Sequence, residues 1–322
     1  MPSAAGDTMP PKKQPLVCQL TSFEDACLAF INPMGRTQSA EHIRPMHWYV
    51  ACRLVLEGGF DPSCIKPRPP FQIERRGKGV YLLHEPSVAN GSEATVFGGL
   101  KTKDVDVVVS LDGIGPCIAI SMKGTLNAFR NLTNRMEEAV GDCTNLHISY
   151  PGLVYAFLHL MRANKEGPIP ASGADFLQQD PKTGLLKAAD TAVKATGEVT
   201  NFIETYHNAI ARLTGRRDRR NDVTRYEAVG LLLVSPEVDS TWKVLDTYPA
   251  KDSLLRFDNL FETIYRQYDT RFVYGAPNLR TITRRHLWHP DSPALKLPIA
   301  EGLSARVSEA DESDEAEGNT ET

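Results

Sequence analysis

The chain has no uninterrupted apolar run of the roughly 18 residues that a membrane-spanning helix needs, so no membrane partner is expected for its 322 residues. The opening stretch, MPSAAGDTMPPKKQP, lacks the apolar segment of a signal peptide, and no export is expected. None of the six cysteines forms a CxxC pair. Cys18, Cys27, Cys52, Cys64, Cys117 and Cys143 include several inside apolar segments, so they are expected to be reduced thiols in the core of a cytoplasmic protein. A positive charge excess is missing too: 36 basic side chains stand against 40 acidic ones, which argues against a general nucleic-acid coat protein.

What is present supports a real core, since 41% of residues are hydrophobic. The charge is unevenly spread. Residues 308–322 hold seven acids and no base, and without them the formal charge changes from −4 to +3. Such a composition cannot bury apolar surface. The expected organisation is a disordered N-terminus over 1–15, a single domain over 16–305 and an acidic disordered tail over 306–322.

Hydrophobic periodicity predicts a helix over 22–30 and a second over 39–56 that begins or kinks at Pro45. The stretch IKPRPPFQIERRGKGVYLLHEP alternates as strands do, and DVDVVVSL and CIAISMK form a hairpin across DGIGP. Helices are then expected over 126–140, within YPGLVYAFLHLMRANK, over 188–214 and within SLLRFDNLFETIYRQY; YEAVGLLLVSP reads as a buried strand. This order predicts an α/β fold with a central mixed β-sheet flanked by helices.

The hairpin carries the candidate chemistry. Asp104 and Asp106 alternate with Val105 and Val107, which places both acids on one strand face. Across the turn, Ser121, Met122 and Lys123 lie opposite that acidic end. Glu137 follows Lys123 by fourteen positions, within reach of a helix packed back on the hairpin. Two acids and a lysine suit phosphodiester hydrolysis, where carboxylates hold a divalent cation and the ammonium orients water or phosphate. Hard oxygen ligands point to Mg²⁺, with Mn²⁺ as a substitute.

The string DVVVSLDGIGPCIAISMK, from Asp106 to Lys123, resembles the core of the PD-(D/E)XK nucleases, with Ser121 where the usual acid stands. It is most similar to the restriction endonucleases that cut around CCGG-type cores, in which Asp…Ser/Cys-x-Lys is followed by a displaced Glu on the next helix. Glu137 stands at that spacing, and Glu138 is the alternative if the helix is turned by one residue. The resemblance covers about residues 38–150. It implies a restriction-endonuclease-like core and a Mg²⁺-dependent endodeoxyribonuclease of type II restriction character, from a bacterium or phage. Asp106, Ser121, Lys123 and Glu137 would be catalytic, with Asp106 and Glu137 on the metal. It also implies double-stranded DNA as partner, a homodimer or homotetramer, and a supporting acid at Glu41. Asp104 becomes a supporting or solvent-facing acid. The alternatives are a catalytically inactive DNA-binding or defence-complex subunit of the same fold, and a repair or antiphage nuclease without a fixed site.

The relatives carry an Arg-rich base-reading motif after the lysine. Arg130 matches its last arginine, whereas Asn127, Ala128 and Phe129 do not match the rest. Asn127, Arg130, Asn134 and Arg135 are the DNA contacts expected there. Arg216, Arg217, Arg219 and Arg220 form a candidate phosphate-contacting loop, and Arg284 and Arg285, beside Trp288, a second basic cluster. His147, His159 and His207 read as structural, and His42 and His47 bracket a helix start without forming a catalytic dyad.

Overall fold

The computed structural model describes residues 16–33, 40–236 and 242–309. Ser22 caps the first helix, α1 (Phe23–Ile31), by accepting from the Asp25 amide. Pro45 opens α2 (Arg44–Leu56), where its missing N–H leaves no intrahelical bond unmade, and a short turn over Ala40–His42 precedes it. The chain then forms β1 (Ile65–Lys66), a hairpin of β2 (Phe71–Arg76) and β3 (Gly79–His84), and a ribbon of β4 (Ala94–Phe97) and β5 (Thr102–Val105). Next come β6 (Val107–Leu111), β7 (Gly115–Thr125), α3 (Leu132–Ser149) and β8 (Val154–Arg162). Helix α4 (Asn201–Ala211), β9 (Ala228–Pro236), β10 (Trp242–Val244) and α5 (Phe257–Tyr268) follow.

Among the described residues a six-stranded mixed sheet runs in the order β1–β6–β7–β8–β9–β10. The β6–β7 hairpin is antiparallel, whereas β7, β8 and β9 run parallel through helical crossovers. Ile118, Ile120, Leu158 and Leu232 face a core completed by α1, α2 and α5. Ala119, Phe157, Leu231 and Leu233 face the other way, against α3 and α4. The expected α/β class with a mixed sheet between helices is the observed architecture, and the β6–β7 hairpin lies where its sequence predicted.

Four expectations fail. YPGLVYAFLHLMRANK holds a strand, β8, because all nine of its residues are buried. A strand covered on both faces reads as a continuous apolar run, and periodicity cannot separate it from a buried helix. Helix α4 covers only part of 188–214, since residues up to Thr200 form loop and bridge structure around Gly197. Helix α3 starts at Leu132, after a wrap in which Ala128 takes a left-handed φ of 54°. Residues 306–309 belong to the fold: Val307 bridges to Trp288, while 1–15 and 310–322 lie outside the described residues.

The C-terminal segment closes the α2 side of the molecule. Trp288 is fully buried, donates Nε1–H to the Val55 carbonyl at 2.9 Å, and fills space that α2 leaves. All six cysteines are free, and five are buried. No helix among the described residues is long and apolar enough to cross a membrane.

Candidate active site

Asp106 stands where the chain changes sheets, because β5 pairs with β4 in the ribbon and β6 pairs with β7 in the main sheet. The break leaves the Met122 amide beyond the last ladder pair, Val107 with Ile120. Asp106 Oδ2 accepts from that amide at 2.6 Å. The carboxylate is thereby fixed beside β7. Asp104, two residues earlier, belongs to the ribbon instead, where its carboxylate accepts from Thr95 at 2.6 Å and is exposed to solvent.

The helix α2 brings His47 to this carboxylate. Its ring is buried, with Nε2 3.7 Å from Asp106 Oδ1 and Nδ1 3.6 Å from Glu93 Oε1. Glu93 comes from the loop before β4, pinned by paired backbone bonds between Arg68 and Asn90. One ligand atom each from His47, Glu93 and Asp106 lies within 4.8 Å of the others. Neither ring nitrogen of His47 has an acceptor or donor at hydrogen-bond distance. A buried imidazole without such partners, flanked by two carboxylates, is a donor set that fits a divalent cation.

Electrostatics distinguish the two acids. Burial pushes the Asp106 carboxyl up, partly offset by the His47 ring and the Met122 amide. The neighbouring His47 ring holds the Glu93 carboxyl below its ordinary value.

Lys123 lies near the end of β7, and its Nζ is 3.0 Å from Glu138 Oε1 on α3. Burial would raise the Glu138 carboxyl, but the Lys123 and Arg135 partners bring it below its ordinary value. Glu137 is exposed on α3 and outside the His47–Glu93–Asp106 group; Glu138 is the residue turned toward the lysine. Ser121 is buried, with its hydroxyl 2.7 Å from Tyr155 Oη, and does not line the pocket. Glu41 is exposed on the turn before α2.

A pocket of about 610 Å³ opens over these residues, lined among others by His47, Asp106, Lys123, Thr125, Asn127 and Arg135. Asn127 donates to the Phe176 carbonyl at 2.8 Å, and the Asp190 carboxylate accepts from the Ala128 amide at 2.8 Å. These two bonds hold the strained Ala128 backbone in the pocket wall. No family model, curated protein or solved structure matches the chain.

Several expected DNA contacts have other roles. Arg216 is fully buried and pairs with the buried Glu227 at 3.0 Å, which also takes Arg271 at 2.7 Å. Arg285 is buried against Asp269 at 2.6 Å. Both guanidiniums are consumed by internal partners, because a buried charge must be paired. Trp288 is likewise interior and offers no face to a base. Arg130, Asn134, Arg217, Arg219, Arg220 and Arg284 are exposed, and only Arg135 and Asn127 of the named contacts line the pocket.

His47 and Glu93 carry no local signal of a site. His47 sits inside a helix whose residues are nearly all buried, and Glu93 follows a turn. The β4–β5 register, which pairs Ala94 with Val105, sets Glu93 opposite Asp106, and the packing of α2 beside the β5–β6 break adds His47.

Proposed function

We propose that this chain is a divalent-metal-dependent phosphodiesterase that cuts DNA, an endonuclease of the PD-(D/E)XK kind. The observation that carries the reading is the convergence of His47, Glu93 and Asp106 in the pocket that Lys123 also lines. A bound cation would supply Lewis acidity and a water of lowered pKa at the phosphorus. His47, Glu93 and Asp106 would hold it, and the nitrogen donor moves the set from an all-oxygen Mg²⁺ arrangement toward Mn²⁺.

The remaining roles belong to the chain's own groups. Lys123, half-buried and oriented by Glu138, donates to a non-bridging phosphate oxygen or to the attacking water. Arg135, Asn127 and Lys123 give the pocket an anion-seeking wall. Type II restriction cleavage and assembly as a dimer or tetramer follow from the resemblance in the Asp106–Lys123 string, and a cut duplex calls for two sites related by its two-fold axis.

The test is incubation of purified chain with supercoiled plasmid and with phage DNA, in Mg²⁺, Mn²⁺ or EDTA, resolved on a gel. Metal-dependent nicking and linearisation are expected, and discrete fragments from phage DNA identify a fixed target. Intact DNA under both metals overturns the enzymatic reading, and retained duplex binding in that case identifies a non-catalytic nuclease-fold subunit.

A further inference from the structure

Residues 121, 123 and 125 of β7 project from one face of the strand. The first meets Tyr155 and the second Glu138. Thr125 lines the pocket, and its Oγ1 is 2.8 Å from Nε2 of His159 on β8. The other ring nitrogen of His159, Nδ1, is 2.5 Å from the Tyr206 hydroxyl on α4. Thr125, His159 and Tyr206 thus form a chain that runs from the pocket wall into the interior.

The proton positions along this chain follow from elementary counting. His159 is fully buried, and burial lowers its pKa to about 3, with Arg135 and Lys123 adding to the effect. At neutral pH the ring is therefore neutral and carries one N–H and one acceptor nitrogen. The Tyr206 hydroxyl is buried too, and among the described residues His159 Nδ1 is its hydrogen-bond partner. A buried phenol proton needs an acceptor, so Tyr206 donates to Nδ1. The ring hydrogen then sits on Nε2 and is donated to Thr125 Oγ1. The Thr125 hydroxyl, already accepting, has its own hydrogen free, and the open side of that hydroxyl is the pocket.

We propose that Thr125 is a substrate-binding residue whose hydroxyl hydrogen, turned into the pocket by the Tyr206–His159 pair, bonds a non-bridging oxygen of a backbone phosphate in the nucleic-acid substrate. The inference rests on the nuclease reading. Phosphate is the fitting partner because the same wall presents Lys123, Arg135, Asn127 and Asn131, cations and amides that favour an anionic oxygen. His159 and Tyr206 act as positioning residues: they touch no substrate and only decide which way the hydroxyl points.

Two measurements on the full chain test this. In ¹⁵N-histidine-labelled protein, long-range ¹H–¹⁵N correlation should show His159 protonated at Nε2, and protonation at Nδ1 overturns the proposal. With a short DNA duplex and Mn²⁺, Thr125→Val should raise KM roughly tenfold, the share of one hydrogen bond to a charged group, with kcat within about twofold. Thr125→Ser should restore KM, and Tyr206→Phe should raise it in the same direction while His159 loses its single tautomer. Cleavage by wild type with unchanged KM in Thr125→Val overturns this inference alone. Absence of cleavage by wild type overturns the nuclease reading and this one with it.

Discussion

Lys123 Nζ lies 3.0 Å from Glu138 Oε1, one residue beyond the glutamate that motif spacing selects. The difference of one position is a rotation of about 100° around α3, which turns Glu137 to solvent and Glu138 to the strand end. Glu138→Ala should therefore release the lysine from its place and lower the DNA-cleavage rate by at least about tenfold, since small misplacements of a reacting group are costly. Glu137→Ala should cut within about twofold of wild type. A plasmid-nicking time course with both variants decides the matter, and the reverse order would return the role to Glu137.

His47→Ala removes the nitrogen from the proposed ligand set. Calorimetric titration of the protein with Mn²⁺ should show a dissociation constant raised at least about tenfold. Cleavage at fixed Mn²⁺ should fall in parallel and recover partly as the metal is raised. Titration curves that superimpose on wild type would remove His47 from the metal.

Glu227 is the centre of a buried cluster in which Arg216 and Arg271 both reach its Oε1. Burial opposes its ionisation, yet His147 and Arg271 hold the carboxyl below its ordinary value of 4.5. Because the folded value is depressed, the stabilisation is present above the unfolded pKa and is lost as pH falls through the folded one. Glu227→Gln should cost roughly 3–5 kcal/mol at neutral pH, as when one partner of a buried pair is removed. Urea melts of the variant and wild type should differ most at pH 7 and draw together as the pH falls below the ordinary carboxyl value of 4.5 toward the depressed folded one.

Arg216 and Arg217 are neighbours with opposite fates, one buried on Glu227 and one exposed. Arg216→Ala should destabilise the fold by several kcal/mol, on the order of a broken buried pair. Arg217→Ala should leave stability within about 0.5 kcal/mol, as surface changes do. Equal melting temperatures for the two variants would contradict the buried assignment.

Much of the frame is legible in the amino-acid order. The β-branched runs on either side of DGIG determined the β6–β7 hairpin, and that hairpin brings Asp106 to the Met122 amide, next to Lys123 in the same pocket. Pro45 marked the start of α2, and Ser22 that of α1, through caps and missing donors that act within one turn. Such features are local, so the sequence by itself determined them. Tertiary structure decided the rest. Whether LVYAFLHLMR became helix or strand depended on burial of both its faces, a property of its neighbours. Glu93 reaches Asp106 because β4 pairs with β5, His47 because α2 packs beside the β5–β6 break, and Arg216 is internal because Glu227, the residue before β9, is buried beside it. Residues far apart in the chain acquire a shared chemistry when packing removes water from between them, and no short-range pattern in either segment records that contact.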